Sequence, residues 1–331
     1  MKRWGILGTG RITRKLAAAI HAAAGAELVA IASRDQGRAE AAAREMSIPA
    51  AYGSYEALLA APDIDAVYNA LPNSLHGEWT IKAAAAGKHI LCEKPLAASH
   101  DEAAAMFSAA REHKVFLMEA FMYRFHPQTL HVQRLLAEGA IGRVNLVRSD
   151  FGFLLDRPAD VRWSAELAGG ALMDVGCYPL SFTRMALGGA PKRVSAAARW
   201  SAGGIDVLLA ATLEYADGTI AQLACDFVTA FHQTAQIHGD AGLIALDRPF
   251  TMLPDKPSTV QLTRGAHFAP VETITIPAVN HYQLQIEGFG HLLDHGHGDW
   301  PEMPLVDTLD NLRTIEALYR SAREGRPIDI A

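Results

Sequence analysis

Cysteine is scarce in this chain, long apolar runs are missing, and basic side chains are not in excess. Cys92, Cys177 and Cys225 are an odd set without metal-like spacing, so they offer no metal site and fit a reducing compartment. No stretch reaches the roughly 18 consecutive apolar residues of a membrane span. Thirty-six acidic residues against 30 basic ones give a formal charge of -6, which argues against nucleic acid as a partner. The chain opens directly on a strand, Lys2 to Leu7, with no signal-peptide layout. Internal repeats and low-complexity linkers are absent. These absences predict a soluble, cytoplasmic protein. The 331 residues, half of them hydrophobic, suggest two domains with sizeable cores.

What is present changes character along the chain. Up to about Phe121, short apolar runs alternate with helical stretches. Strands are expected at Arg3 to Leu7, Glu27 to Ala32, Asp65 to Leu71, Lys88 to Cys92 and Val115 to Met118. Helices are expected from Arg11 to Ala24, Gln36 to Met46, Leu75 to Ala86 and Ser99 to His113, the last opened by a Ser99/Glu102 capping box. Such alternation builds a doubly wound parallel sheet. Beyond it, Asp206 to Tyr215 and Thr219 to Phe227 alternate in polarity around the two-residue turn signal Asp217-Gly218. Ala235 to His238, Leu243 to Leu246, Thr259 to Thr263 and Glu272 to Ile276 also read as strands. Helices near His281 to His295 and Asp307 to Arg323 close the chain. The fold expected is α/β: a Rossmann domain over residues 1–122 and an α+β domain with a large open, mostly antiparallel sheet over 123–331.

Gly8-Thr9-Gly10-Arg11-Ile12 joins the first strand to the first helix. The first glycine permits a tight turn, the second lets backbone approach a pyrophosphate, and the helix N-terminus offers N–H groups to it. Thr13 replaces the small residue usual at the third position and must fit between helix and strand. After the second strand, Ser33-Arg34 with Arg38 stands where an acid would select NAD, so NADP is favoured over NAD. Asp35 comes one position late. Leu71 ends the strand Asp65 to Leu71 and Asn73 and His76 follow it, at the edge where open parallel sheets bind ligands. Glu93-Lys94-Pro95 leaves the next strand at that same edge. Lys94 there suits a proton-handling cation beside a nicotinamide ring. Asp174 and Tyr178 lie at i,i+4, on one face if helical, with Gly176 between them. Taken alone, Tyr178 reads as a core tyrosine and Asp174 as a cap. Beside the lysine motif, they read as chemistry.

Together these segments resemble the Gfo/Idh/MocA oxidoreductase family over nearly the whole chain. Leu71 to His76, Met118 to Pro127 and Met173 to Tyr178 look most like its dihydrodiol dehydrogenase and NADP-dependent D-xylose dehydrogenase branch. The resemblance implies that Lys94 precedes a cis bond to Pro95, and that Asp174 and Tyr178 occupy the family's aspartate and proton-carrier positions. Tyr178 stands where many members carry histidine, which argues against inositol dehydrogenase. It also implies a homodimer or homotetramer paired through the open sheet. The reaction expected is hydride transfer between NADP and a carbinol carbon of a sugar or cyclic polyol, without a metal. Lys94 and Tyr178 would share the proton as a coupled pair. Arg124, Phe153, Arg162 and Trp163 are candidates for lining the substrate pocket. Two other readings fit the same chain. One is a non-catalytic NADP sensor, and the other is an aldose–aldose oxidoreductase that keeps its NADP bound.

Overall fold

The computed structural model describes residues 1–265, 269–296 and 303–330. Contacts divide the chain into two units, Met1–Phe125 with Asn280–Thr308, and His126–Val279 with Leu309–Ala331. The sequence pattern suggests one division near residue 122. The chain instead returns to the first unit for residues 280–308.

The first unit holds a six-stranded parallel sheet. Its strands are β1 (Lys2–Leu7), β2 (Ala26–Ala32), β3 (Ala50–Tyr52), β4 (Ala66–Asn69), β5 (His89–Cys92) and β6 (Leu117–Glu119). Their order is β3-β2-β1-β4-β5-β6. Between them run α1 (Ile12–Ala22), α2 (Gln36–Glu45), α3 (Tyr55–Leu59), α4 (His76–Ala85) and α5 (His100–Glu112). Central strands covered on both faces need apolar residues at every position. Ile6, Leu7, Val67, Tyr68, Ile90, Leu91 and Cys92 are accordingly inaccessible. The Ser99 hydroxyl caps α5 by accepting from Glu102 N, and Glu102 reaches back to Ala98 N. Strand order reverses between β1 and β4, and that switch point is where such sheets bind ligands.

The second unit is built on a nine-stranded sheet. Its strands are β7 (Val144–Gly152), β8 (Arg193–Trp200), β9 (Asp206–Glu214), β10 (Ile220–Asp226), β11 (His232–Gly239), β12 (Gly242–Leu246), β13 (Ser258–Arg264), β14 (Val271–Ile276) and β15 (Ile328–Asp329). The order is β14-β13-β12-β11-β7-β10-β9-β8-β15, and β7 runs parallel to β10 while the other pairs are antiparallel. Leu209, Leu213, Leu223, Cys225 and Phe227 are buried on one face, as their alternation predicts. The β9–β10 connection differs from the expected two-residue turn. Tyr215 N donates to Thr219 O, leaving a three-residue loop closed by Gly218 at φ +89°. The helices α6 (Pro127–Ala137) and α7 (Cys177–Leu187) belong to this unit, α8 (His281–His295) to the first. The last helix, α9 (Leu305–Glu324), starts in the first unit and continues in the second. Among the described residues no helix is long and apolar enough to cross a membrane.

Candidate functional site

In the first unit the carboxyl ends of β1, β4 and β5 bring three loops together. Gly8 follows β1 at φ +101°, and a Cβ there would lie 3.1 Å from Leu71 Cδ2 and 3.3 Å from Ala70 O. Only glycine serves such a position, both for its dihedral and for the close approach. Thr13 is accommodated rather than crowding the loop. It is buried, and its hydroxyl and amide both donate to Gly10 O.

The start of α1 fits an anion. Its cap position, Arg11, makes no side-chain capping bond, and its first turn contains no acid. By contrast Asp35, Ser54 and Ser99 cap α2, α3 and α5. The N–H groups of α1, like those of α4, lack a side-chain cap, and at α1 they follow the glycine turn, which suits a phosphate. Thr9 and Ile12 are half-buried beside them, and Gly10 is exposed.

At the end of β2, Ser33 is buried while Arg34 and Arg38 are exposed. The Asp35 carboxylate accepts from Arg38 N at 2.7 Å, so it is committed to capping α2. Burial raises the Tyr55 phenol above its ordinary pKa, and the charge and hydrogen bond of Arg34 oppose that rise. The Arg34 guanidinium thus lies against α3.

The β4 and β5 loops are tied to each other. Asn69, fully buried, donates to His76 O and Thr80 Oγ1 and accepts from Leu71 N. Leu71 is buried, and Asn73 is half-buried in a single 3-10 turn before α4. His76 is also fully buried. Its Nε2 is 2.8 Å from Leu71 O and its Nδ1 2.9 Å from Pro95 O. Burial lowers its pKa, against the backbone carbonyls, and a neutral ring has one N–H, which donates to one of these two carbonyls at a time. Glu93 accepts from Tyr68 OH at 2.9 Å, and its other oxygen accepts from Lys94 N at 3.3 Å. The Lys94–Pro95 bond is cis, as the resemblance implies. Lys94 itself is half-buried. Arg124, also in this unit, is 5% exposed and ion-paired to Asp307 at 3.2 Å.

The second unit carries Asp174 and Tyr178. Residues Leu172–Gly176 form a π-turn, and Cys177 N donates to Leu172 O five residues back. The regular helical spacing expected between Asp174 and Tyr178 is therefore widened by a single wide turn, a feature frequent at functional sites. The turn is pinned at its start, where Leu172 N donates to Asp206 Oδ2 and Tyr319 OH donates to Asp206 Oδ1, both at 2.7 Å. Gly176 does permit close approach, but of the sheet. A Cβ there would lie 2.6 Å from Cys225 Sγ. Asp174 pairs with Arg162, whose Nε is 2.6 Å from Oδ2, and Arg162 also meets Asp160 at 3.1 Å. The Asp174 charge is the largest cause of the raised Arg162 pKa. Tyr178 is 5% exposed, its ring between Phe151 and Phe250 with centroids at 5.6 Å. Phe153 and Trp163 are half-buried and share Phe227 as a ring partner.

The residues read from the sequence thus gather into two sets. Gly8 to Ile12, Ser33, Arg34, Arg38, Leu71, Asn73, His76, Glu93, Lys94 and Arg124 belong to the first unit. Phe153, Arg162, Trp163, Asp174 and Tyr178 belong to the second. The bracing residue Asp206 gave no local signal, since its partners Leu172 and Tyr319 lie 34 and 113 residues away. Among the described residues, no cluster of three or more His, Cys, Asp or Glu is placed to hold a metal ion.

Known proteins share this fold. Residues 2–121 match the oxidoreductase family with an NAD-binding Rossmann fold, and residues 129–245 match the GFO/IDH/MocA C-terminal domain. D-xylose 1-dehydrogenase (NADP(+)) 2 of Haloferax volcanii is 40% identical over 329 residues, 99% of each chain. A trans-1,2-dihydrobenzene-1,2-diol dehydrogenase of Danio rerio is 39% identical over 246 residues, 73% of each. The structure of a 3-ketoreductase from Actinomadura kijaniata in complex with NADP and TDP-benzene matches with a TM-score of 0.89, at 31% identity over 97% of each chain. The chain belongs to the Gfo/Idh/MocA oxidoreductase family and is an NAD(P)-dependent dehydrogenase or reductase.

Proposed function

We propose that this enzyme moves hydride reversibly between NADP and a carbinol carbon of a sugar or cyclic polyol, with Lys94 and Tyr178 handling the hydroxyl proton. One observation carries the reading. The loop bearing Lys94 leaves the sheet at the same edge as the Gly8–Gly10 turn, only β4 intervening, and is braced there by His76 and Glu93. NADP, when bound, supplies or takes up the hydride at its nicotinamide ring.

The chain's own residues do the rest. Gly8, Thr9, Gly10, Arg11 and Ile12 receive the pyrophosphate. Ser33, Arg34 and Arg38 receive the 2′-phosphate, and the Asp35 carboxylate is taken up in capping α2. Leu71 and Asn73 border the nicotinamide half, with His76 bracing the loop behind them. In the oxidative direction Tyr178 takes the hydroxyl proton. A free phenol, with a pKa of about 10, is a poor base at neutral pH, and the Lys94 ammonium corrects that by favouring phenolate. Asp174, oriented by Arg162, holds the substrate hydroxyl or the lysine. Phe153 and Trp163 offer an apolar wall to the sugar's C–H faces. The first unit thus serves the cofactor, and the second serves the substrate and, through its open sheet face, self-association.

The test is turnover of D-xylose, other aldoses, polyols and trans-dihydrodiols with NADP and with NAD. NADP-linked oxidation of a pentose or diol is expected. NADPH binding without turnover of any of them would refute the enzyme reading in favour of a sensor. NADP retained through desalting would favour hydride exchange between two sugars.

A further inference from the structure

Glu119, the last residue of β6, is 2% exposed and was absent from the residues expected at the site. Both of its oxygens accept hydrogen bonds. Oε1 takes the Leu96 N–H at 2.9 Å, and Oε2 takes the Thr308 hydroxyl at 2.7 Å. Leu96 is two residues past Lys94. The intervening Pro95 carbonyl is held by His76. Side chains from β6 and α4 therefore fix consecutive peptide units of the loop that presents the lysine. A carboxylate removed from water needs donors and positive charge to remain ionised. The donors are the two just named. The positive charges acting on it are Arg124 and Lys94. Arg124 already pairs with Asp307. The buried Cys92 thiol of β5 feels the Glu119 charge, together with those of Glu93 from β5's end and Glu102 from α5.

We propose that Glu119 is a positioning residue for Lys94: it fixes the lysine loop through the Leu96 N–H and supplies a buried negative charge that acts on the Lys94 ammonium. The proposal rests on the reading of Lys94 as a proton-handling group. Burial pushes the Glu119 carboxyl up to about 7, against its two hydrogen bonds and the two cations. Its charge therefore changes within the neutral range, and the environment of Lys94 changes with it.

Glu119→Gln keeps the shape and one acceptor for Leu96 N–H but removes the charge, and Glu119→Asp restores the charge. The first readout is the pH dependence of Lys94 acylation by acetic anhydride in the folded protein, read by peptide mass spectrometry. The midpoint should fall by about one pH unit in Glu119→Gln and recover in Glu119→Asp. The second is the pH profile of kcat/KM on the best substrate. Its inflection near neutrality should vanish in Glu119→Gln, with turnover about tenfold lower and the NADPH Kd unchanged. An unmoved Lys94 midpoint in folded Glu119→Gln overturns the proposal. If that variant does not fold, Thr308→Val removes one donor and should move the wild-type inflection upward, and an unmoved inflection overturns it equally. Lys94→Ala separates the two claims. Full turnover in that variant would sink the catalytic reading of Lys94 while leaving the acylation result standing.

Discussion

Replacing Arg34 by alanine removes one guanidinium from the carboxyl end of β2 and leaves the sheet untouched, because the side chain is exposed. On the proposed reading that guanidinium meets the 2′-phosphate of NADP. A charge-assisted contact of this kind contributes about 1.5–3 kcal/mol when sheltered, and solvent at an exposed site reduces it to about 1–2 kcal/mol. NADPH should therefore bind roughly 5- to 30-fold more weakly to Arg34→Ala. NADH lacks the phosphate and should bind as before. Fluorescence titration with both dinucleotides at two ionic strengths measures the ratio directly, and the NADPH loss should shrink in high salt. The structure supplies an internal control. Arg34 opposes the burial-driven rise of the Tyr55 phenol, so its removal should move Tyr55 ionisation further up in an ultraviolet titration. Arg34→Ala/Arg38→Ala should lower the ratio again. Equal weakening of both dinucleotides, or an unchanged ratio in the double variant, would refute the assignment of the phosphate to the end of β2.

Gly176→Ala places a methyl 2.6 Å from Cys225 Sγ and 2.9 Å from Leu172 Cδ1. Overpacking of this kind costs about 1–3 kcal/mol, more than the roughly 1 kcal/mol alanine gains over glycine in a helix, so thermal unfolding should come earlier. Adding Cys225→Ala should return most of the loss, and a Gly176→Ala protein as stable as wild type would contradict the packing. His126 caps α6 through its ring, Nδ1 accepting from Gln128 N at 3.0 Å, and burial lowers its pKa to about 4. The unfolded chain binds a proton there near 6.5 and the folded chain does not, so this stabilisation is complete above 6.5 and fades as pH falls toward 4. His126→Asn keeps a good cap and removes the titration. Between pH 7 and pH 5 wild type should lose on the order of 2 kcal/mol more than the variant in urea unfolding, and parallel losses would contradict the claim.

Legibility followed the range of the interactions. The β1–Gly8–Gly10–α1 unit, the β5 loop and α8 were readable because strand, turn and helix signals lie within a few residues of each other. β7 and β8 were not. β8 is a run of Ser195, Ala196, Ala197 and Ala198, and alanine carries no strand preference. β7 interrupts its apolar residues with Arg148, Ser149 and Asp150, although it occupies the middle of the sheet. A histidine is an unusual cap, so the start of α6 was marked only by Pro127 at its first position. The π-turn at Leu172–Gly176 escaped because the sequence carries no mark of one wide turn within a helical period. Glu119 escaped for a different reason, its partners being 23 and 189 residues away. The pairing of Asp174 with Arg162, 12 residues before it, similarly depends on a loop whose path no local pattern specifies.

Single-turnover formation of NADPH from preformed enzyme–NADP, on the best aldose or diol, tests the shared role of Lys94 and Tyr178 most directly. Wild type, Lys94→Ala, Tyr178→Phe and the double variant form one cycle. Each single change should slow the step about a hundredfold or more with NADPH affinity retained, and the double variant should be no slower than the worse single. Losses that multiply in the double variant, or a Tyr178→Phe enzyme as fast as wild type, would show that the two side chains do not serve one proton.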